Sequence, residues 1–365
     1  MTASSSHRVH YESAGRLGAI ESESVDLVVT SPPYPMIEMW DDDFCTEDEG
    51  IRSALSEGDG RRAFELMHQQ LDQVWRELNR AIKVGGIACI NIGDATRTLD
   101  GVFQLYSSHS RIVSAMLSLG FQNLPNIIWR KTTNAPNKFM GSGMLPPGAY
   151  VTLEHEYILI FRKGNKRVFA DNPAKQNRRQ SAYFWEERNK WFSDVWSDLV
   201  GTVQALEFAD LRKRSGAYPF ELPYRLINMF SVKGDTVLDP FLGTGTTMYA
   251  AMASERHSIG YERDERFRDY IADQVPDIGR RINQVILDRV QRHIDFATDR
   301  IEAGKPPKSS IAGSGIPCIS RQETEISLSL IRSLTEEPGD TFSVDYRPLK
   351  VKWQDRGNLR SVHSE

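Results

Sequence analysis

The sequence predicts an α/β protein of the doubly wound kind, because two strand–helix–strand units stand far apart in the chain and a glycine-rich turn follows one of their strands. In the first unit, VDLVVT (25–30) reads as a short buried strand. RAFELMHQQLDQVWRELNRAIK (62–83) has apolar residues at helical spacing, and GGIACINIG (85–93) returns as a buried strand. A helix near 108–119 then leads to NLPNIIWR (123–130), with which the strand candidate TLEHEYILIFRKG (152–164) can pair. Residues 165–216 lose clear periodicity. In the second unit, PYRLINMFS (223–231) reads as helix, DTVLDP (235–240) as strand, TGTTMYAAMASE (244–255) as helix and HSIGYERD (257–264) as strand. No repeat of fixed period is visible. The tail after Gly304, rich in Pro, Ser and Gly before more mixed sequence, reads as a linker and an extension.

Composition narrows the class. A chain of 365 residues with 40% hydrophobic and 26% charged residues is long enough for one large domain with an insert, or for two domains. Cys45, Cys89 and Cys318 have no paired spacing, so neither a disulfide framework nor a metal site is indicated, and a reducing cytoplasm is the expected compartment. MTASSSHRVHYESAG lacks the apolar core of a signal peptide, and no apolar run is long enough to cross a bilayer, so no membrane partner is expected. A net charge of −4 argues against a protein that coats nucleic acid, since phosphate binding is mainly a Lys/Arg effect. Its distribution is uneven, however. Arg162 to Arg214 carries twelve basic against seven acidic residues, interleaved with Phe169, Tyr183, Phe184, Trp185, Trp191 and Phe192, whereas Glu38 to Asp59 carries nine acidic residues and the single base Arg52.

Two short motifs carry the chemistry. In VLDPFLGTGTT (237–247) a strand ends at Asp239 and Pro240, and Gly243 and Gly245 form the turn before a helix. Glycine there lets backbone approach a ligand, and the helix start offers unpaired N–H groups, so a nucleotide-like ligand can dock. Glu262 ends the next strand at about the spacing where a carboxylate accepts hydrogen bonds from ribose hydroxyls. The third glycine of the dinucleotide fingerprint is missing, which disfavours a nicotinamide dehydrogenase. Upstream, VVTSPPYPMIEMW (28–40) runs a buried strand into consecutive prolines, which cannot donate to a ladder and hold the chain extended at the strand end.

TSPPY (30–34) followed by DPFLGTGTT (239–247) resembles the S-adenosylmethionine-dependent DNA amino-methyltransferases of restriction-modification systems, in the circularly permuted β group whose catalytic half precedes its cofactor half. The similarity also covers GGIACINIGD (85–94), IIWRKTTNAP (127–136), EHEYILIFRKG (154–164) and YPFELPYRLINMFSVKGDTVLD (218–239), roughly residues 8–275. It implies a class I methyltransferase fold with a mixed, mostly parallel sheet, helices on both faces and a recognition insert. Residues 1–164 would be the catalytic half, 165–216 the insert, 217–300 the cofactor half and 301–365 an extension. S-adenosylmethionine would be the cofactor and double-stranded DNA the partner, with a restriction endonuclease in the same system and a monomeric or homodimeric enzyme.

The resemblance also assigns roles. The Ser31 hydroxyl and Pro32 carbonyl would accept the two hydrogens of a flipped base's amine, Pro33 would stiffen the platform, and Tyr34 would stack on the base. Asp239, Phe241, Gly243 and Gly245 would shape the cofactor turn, Thr246 and Thr247 would bind the methionine carboxylate, and Glu262 the ribose. Phe220 would help enclose the methionine end, and Asp94 would touch cofactor or target, although an Asp after Gly is also a common turn or helix cap. Direct transfer needs no covalent intermediate, in keeping with the lack of a Pro-Cys pair in the motifs. Ser31, where adenine-modifying relatives usually carry Asp or Asn, favours cytosine N4 over adenine N6. The run TSPPYPMIEMWD resembles a subset associated with CTAG sites. Arg178, Arg179, Arg188, Lys190, Arg212, Lys213 and Arg214 in the insert, with Lys131 and Lys138 in a loop, are the DNA-contact candidates. Two readings from other classes stand beside this one: a protein or RNA amide methyltransferase, disfavoured by motif order, and a catalytically silent DNA-binding module.

Overall fold

The structure, a computed structural model, describes residues 4–131, 140–199 and 218–355. Its frame is a single eleven-stranded sheet among the described residues. The strands are β1 (Ser4–His10), β2 (Val25–Thr30), β3 (Ile82–Ile92), β4 (Phe121–Asn123), β5 (Ile127–Arg130), β6 (His155–Lys163), β7 (Val195–Trp196), β8 (Thr236–Asp239), β9 (His257–Tyr261), β10 (Ser329–Glu337) and β11 (Thr341–Pro348). Their order is β7-β5-β6-β3-β2-β8-β9-β1-β11-β10, with β4 also pairing β6. The central strands β3, β2, β8, β9 and β1 run parallel, while β6 and β11 pair antiparallel on either side.

The parallel block is covered on both faces, which is why its strands read as continuous apolar runs. All six residues of β2 are buried. Leu27 and Val29 join one core with Val237, Met248 and Ile271, and Val25 and Val28 join the other with Trp75, Leu78 and Leu238. The helix Gly60–Ala81 presents Ala63, Met67, Leu71, Val74, Trp75 and Leu78 to that second core, and the Asp59 side chain caps it by accepting from Arg62 N at 3.0 Å.

Chain order makes the crevice. β2 leads to β3 on one side, and β8 leads to β9 on the other, so β2 and β8 are the neighbours at which the winding reverses. Ligands of open α/β sheets bind at that switch point, outside the carboxyl ends of the strands.

Three regions differ from their sequence appearance. The acidic stretch is helical, with helices Asp41–Glu47 and Glu49–Ser56. Its carboxylates order basic side chains: Asp41 takes a bidentate pair from Arg97 at 2.7 and 2.8 Å, and Asp43 accepts from Arg263 at 2.7 Å. The tail adds β10 and β11 to the sheet beside the N-terminal strand, so it is no mere linker. The 37-residue helix Arg266–Glu302 supports it with Ile271, Ile278, Ile282 and Ile286. The insert, expected to be irregular, carries helices Asn172–Gln180 and Trp185–Trp191. Its aromatics Phe184, Trp191 and Trp196 are buried, and Phe184 stacks on His293 of the long helix at 3.9 Å. Those rings anchor the insert. No described helix is long and apolar enough to cross a membrane.

Candidate active site

One cavity of about 880 Å³ opens at the carboxyl ends of β2 and β8. Ser31, Pro32, Pro33 and Tyr34 line it from the first motif, Phe241, Gly243 and Thr246 from the second, and Glu262 from the end of β9. The two motifs, more than half the chain apart, meet because their strands are adjacent and in register, Val28 opposite Leu238.

Asp239 ties them together. Its Oδ1 accepts from Thr30 Oγ1 at 2.6 Å and from Phe241 N at 3.0 Å, and its Oδ2 from Thr247 Oγ1 at 2.6 Å and Tyr218 OH at 3.3 Å. Burial pushes its pKa above the ordinary carboxylate value, while these donors pull the other way. Thr30 precedes Ser31, so the bond fixes the start of the Ser-Pro-Pro-Tyr ledge against β8. Thr247 faces this knot and Thr246 faces the cavity.

The glycine turn is built for close approach. Gly243 and Gly245 have φ of +54° and +84°, a left-handed conformation that other residues adopt at a cost. A Cβ on Gly243 would meet no protein atom within 4 Å, whereas one on Gly245 would press on the Tyr249 ring at 3.2 Å. Glu262 spans the turn, accepting from Gly243 N through Oε2 and from Asp264 N through Oε1, both at 2.8 Å. Burial raises its pKa.

On the side of the first motif, Tyr34 sits over Gly93, where a Cβ would come within 3.0 Å of its ring. Its hydroxyl donates to Glu156 Oε2 at 2.8 Å, accepts from Asn91 Nδ2 at 2.8 Å, and lies 3.1 Å from Ser31 Oγ. Asn91 Nδ2 also donates to Glu156 Oε2 at 2.7 Å, and Lys131 Nζ donates to Glu156 Oε1 at 2.5 Å. Burial and the neighbouring carboxylate hold the Tyr34 phenol well above its usual pKa.

The profile of the DNA methylase family matches residues 25–273. The chain is 47% identical over 354 residues to the type II methyltransferase M.MthZI of Methanothermobacter thermautotrophicus, across 97% of this chain and 98% of that protein. This chain belongs to the DNA methylase family. It is also 49% identical over 280 residues to the type II methyltransferase M.MjaI of Methanocaldococcus jannaschii, across 74% of this chain and 91% of that one. Among solved structures it is similar to TTHA0409, a candidate DNA modification methylase from Thermus thermophilus complexed with S-adenosyl-L-methionine. The identity is 30% and the TM-score 0.58, over 76% of this chain and 94% of that chain.

Some residues singled out in the sequence of this DNA methylase stand elsewhere. Asp94 is not among those lining the cavity; it accepts from His109 N at 3.1 Å and from the His109 ring, at the start of the helix Ser108–Ser118, as a cap would. Phe220 packs on Tyr224 with ring centres 5.5 Å apart, and Tyr218 of the same segment reaches the cavity instead. The DNA-contact candidates Arg178, Arg179, Arg188 and Lys190 are exposed, yet each has a neighbour. Arg178 lies over Phe169, Arg179 pairs with Glu325 at 2.7 Å, Arg188 lies over Phe192, and Lys190 pairs with Asp198 at 2.8 Å. Lys138, Arg212, Lys213 and Arg214 lie outside the described residues.

Sequence reasoning missed Asn91, Glu156 and Tyr218. Asn91 and Glu156 stand inside strands that looked purely structural. A polar side chain within an otherwise apolar run such as GGIACINIG is the signal that could have found the first.

Proposed function

We propose that this DNA methylase transfers a methyl group from S-adenosylmethionine to the exocyclic N4 amine of cytosine in duplex DNA, with the base turned out of the helix. The observation that carries the reading is the shared cavity: Ser31 and Gly243 line the same space, and the Thr30–Asp239 hydrogen bond holds together the strands that present them.

The residues suit that cofactor. Gly243 leaves room for a ligand where any side chain would intrude, and Glu262 keeps a carboxylate at the strand end with lone pairs to spare after its two backbone bonds. Asp42 and Asp48 add acidic groups to the cavity wall, which favours a positively charged ligand. When bound, S-adenosylmethionine supplies a methyl group on a cationic sulfur. Glu262 would hold the ribose hydroxyls, the Gly243 backbone the body of the ligand, and Thr246 at the first turn of the helix Thr246–Ala253 the carboxylate.

The chain's own task is to make a poor nucleophile attack. The lone pair of a base amine is delocalised into its ring, and acceptors placed on its two hydrogens favour a pyramidal nitrogen. The Ser31 hydroxyl and Pro32 carbonyl are those acceptors, and the Tyr34 ring is the platform for the base. The rigid ledge does the rest by orientation. Ser31 in place of an acidic or amide side chain supports cytosine over adenine. The exposed basic groups of the insert and Lys131 support recognition of DNA there, with protection against a companion endonuclease as the biological use and CTAG as the site suggested by the motif.

The test is nucleoside mass spectrometry of unmodified duplex DNA, containing CTAG, after incubation with methyl-labelled cofactor. Label in N4-methylcytosine is the expected result. Label in N6-methyladenine would overturn the choice of base, and unlabelled DNA the substrate class.

A further inference from the structure

Hydrogen-bond accounting around Tyr34 assigns a role to a residue outside both motifs. We infer that Glu156 is a positioning residue that sets the direction of the Ser31 hydroxyl, so that Ser31 meets the target amine as an acceptor; this rests on the proposed transfer to a DNA amine.

The chain of donors runs one way. A carboxylate has no proton to give, so the 2.8 Å contact between Tyr34 OH and Glu156 Oε2 must be donated by the phenol. A phenol has only one hydrogen. Its oxygen is therefore an acceptor towards everything else, and it receives Asn91 Nδ2 at 2.8 Å. Ser31 Oγ lies 3.1 Å from the same oxygen, and only Ser31 still has a hydrogen for that contact. The serine hydrogen thus points back at Tyr34. Its lone pairs stay available to the cavity that the residue lines, since Asn91 Nδ2, at 3.5 Å, makes only a long contact.

Each member of the relay is pinned. Lys131, which can only donate, saturates the far oxygen of Glu156 at 2.5 Å. The orientation of the Asn91 amide follows from the carboxylate as well, because its oxygen turned inward would face Glu156 Oε2, 2.7 Å from the nitrogen. Burial beside that carboxylate keeps the phenol protonated, so the hydrogen to be donated is present. A serine free to rotate would offer its hydrogen to the cavity part of the time, and a donor facing an amine hydrogen repels.

Glu156→Gln tests this at constant shape. Lys131 would claim the new amide oxygen, leaving the amide nitrogen to face Tyr34. Tyr34 must then accept there, and its own hydrogen, having lost the carboxylate, passes to Ser31 or to an Asn91 amide turned by the same change, so the serine hydroxyl is no longer held in one direction. The expected result is a single-turnover methylation rate lower by about 10²-fold, the usual size for one misdirected hydrogen bond at a reacting group, with the cofactor Kd from calorimetry unchanged. In the Ser31→Ala background the same substitution should cost nothing further, because the group it acts through is gone. In the Lys131→Met background, where the amide can turn its oxygen to Tyr34, the loss from Glu156→Gln should shrink to less than about tenfold. A Glu156→Gln enzyme at the wild-type rate, or a loss that multiplies undiminished through both backgrounds, would overturn the relay. Wild-type protein that leaves DNA unlabelled would instead sink the function on which it rests.

Discussion

The two halves of the cavity wall are polar in opposite ways. Around Asp239 every acceptor position faces a fixed donor of the protein, and the carboxylate is buried with 3% of its surface exposed. Around Ser31 and Tyr34 the network is only half buried and its last member still has lone pairs to offer. A closed network makes a hinge pin that holds two strands at one spacing, and an open one makes a surface that can receive a substrate. The closed network ends β8 and the open one follows β2, on adjacent strands.

The severest way to break this contrast is Asp239→Ala. It leaves Thr30, Thr247 and the Phe241 N–H without their acceptor, while Tyr218 keeps Thr247 as a partner, and unsatisfied buried groups cost about 1–3 kcal/mol each. Urea unfolding should show a loss of at least about 3 kcal/mol, together with loss of cofactor binding. Ser31→Ala attacks the open side and should leave stability and cofactor Kd intact while lowering the single-turnover rate about 10²-fold. Equal damage to folding from both variants would erase the distinction.

Stability should also depend on pH through buried histidines. Two neutral histidines lie buried in the core: His7 between Ser5 and Ser258 at the β1–β9 seam, and His68 of the helix Gly60–Ala81 against Phe64. Burial lowers both to about 3 from an ordinary value of 6.5. Above pH 6.5 neither state takes up a proton at these sites and the stability is intact. As pH falls from 6.5 towards 3, the unfolded chain binds protons that the folded one refuses. Stability should then fall by up to about 1.4 kcal/mol per pH unit for each histidine. His68→Met should remove one share of that slope, and chemical denaturation at pH 7.5 and pH 5 reads it. The smallest effect is expected at Gly243→Ala. It adds about 1 kcal/mol of backbone strain at φ +54° and a methyl group in the cavity, so cofactor Kd should weaken several-fold with the melting temperature little changed.

Much of this was legible in the chain itself, for reasons that differ by region. VDLVVT and DTVLDP announce buried parallel strands because both faces are covered, and TLEHEYILIFRKG shows its strand, His155–Lys163, through a long apolar run. β1 does not show in the sequence because its inward positions are Ser5, His7 and Val9, and the two polar ones are satisfied by each other and by Tyr346 and Ser258, partners far along the chain. β10 and β11 were missed with it, since they complete an edge that the sequence did not reveal. The insert's rings looked like a nucleic-acid surface because aromatics among arginines have the same composition whether they face solvent or core. The burial of Phe184, Trp191 and Trp196 tells the two apart for those rings. Glu156 and Asn91 are hidden for a similar reason: each meets the Tyr34 hydroxyl, which the loop after β2 brings to them, and that meeting depends on which strands are neighbours in the sheet.

In the proposed reaction Ser31 and the glycine turn flank one reaction space. A structure of the protein with S-adenosylhomocysteine and a duplex carrying the target cytosine tests it most directly. The cytosine N4 is expected within about 3 Å of Ser31 Oγ and Pro32 O, with the sulfur on its open side and Glu262 at the ribose. A flipped base seated away from Ser31, or a cofactor bound elsewhere than at Gly243, would contradict it.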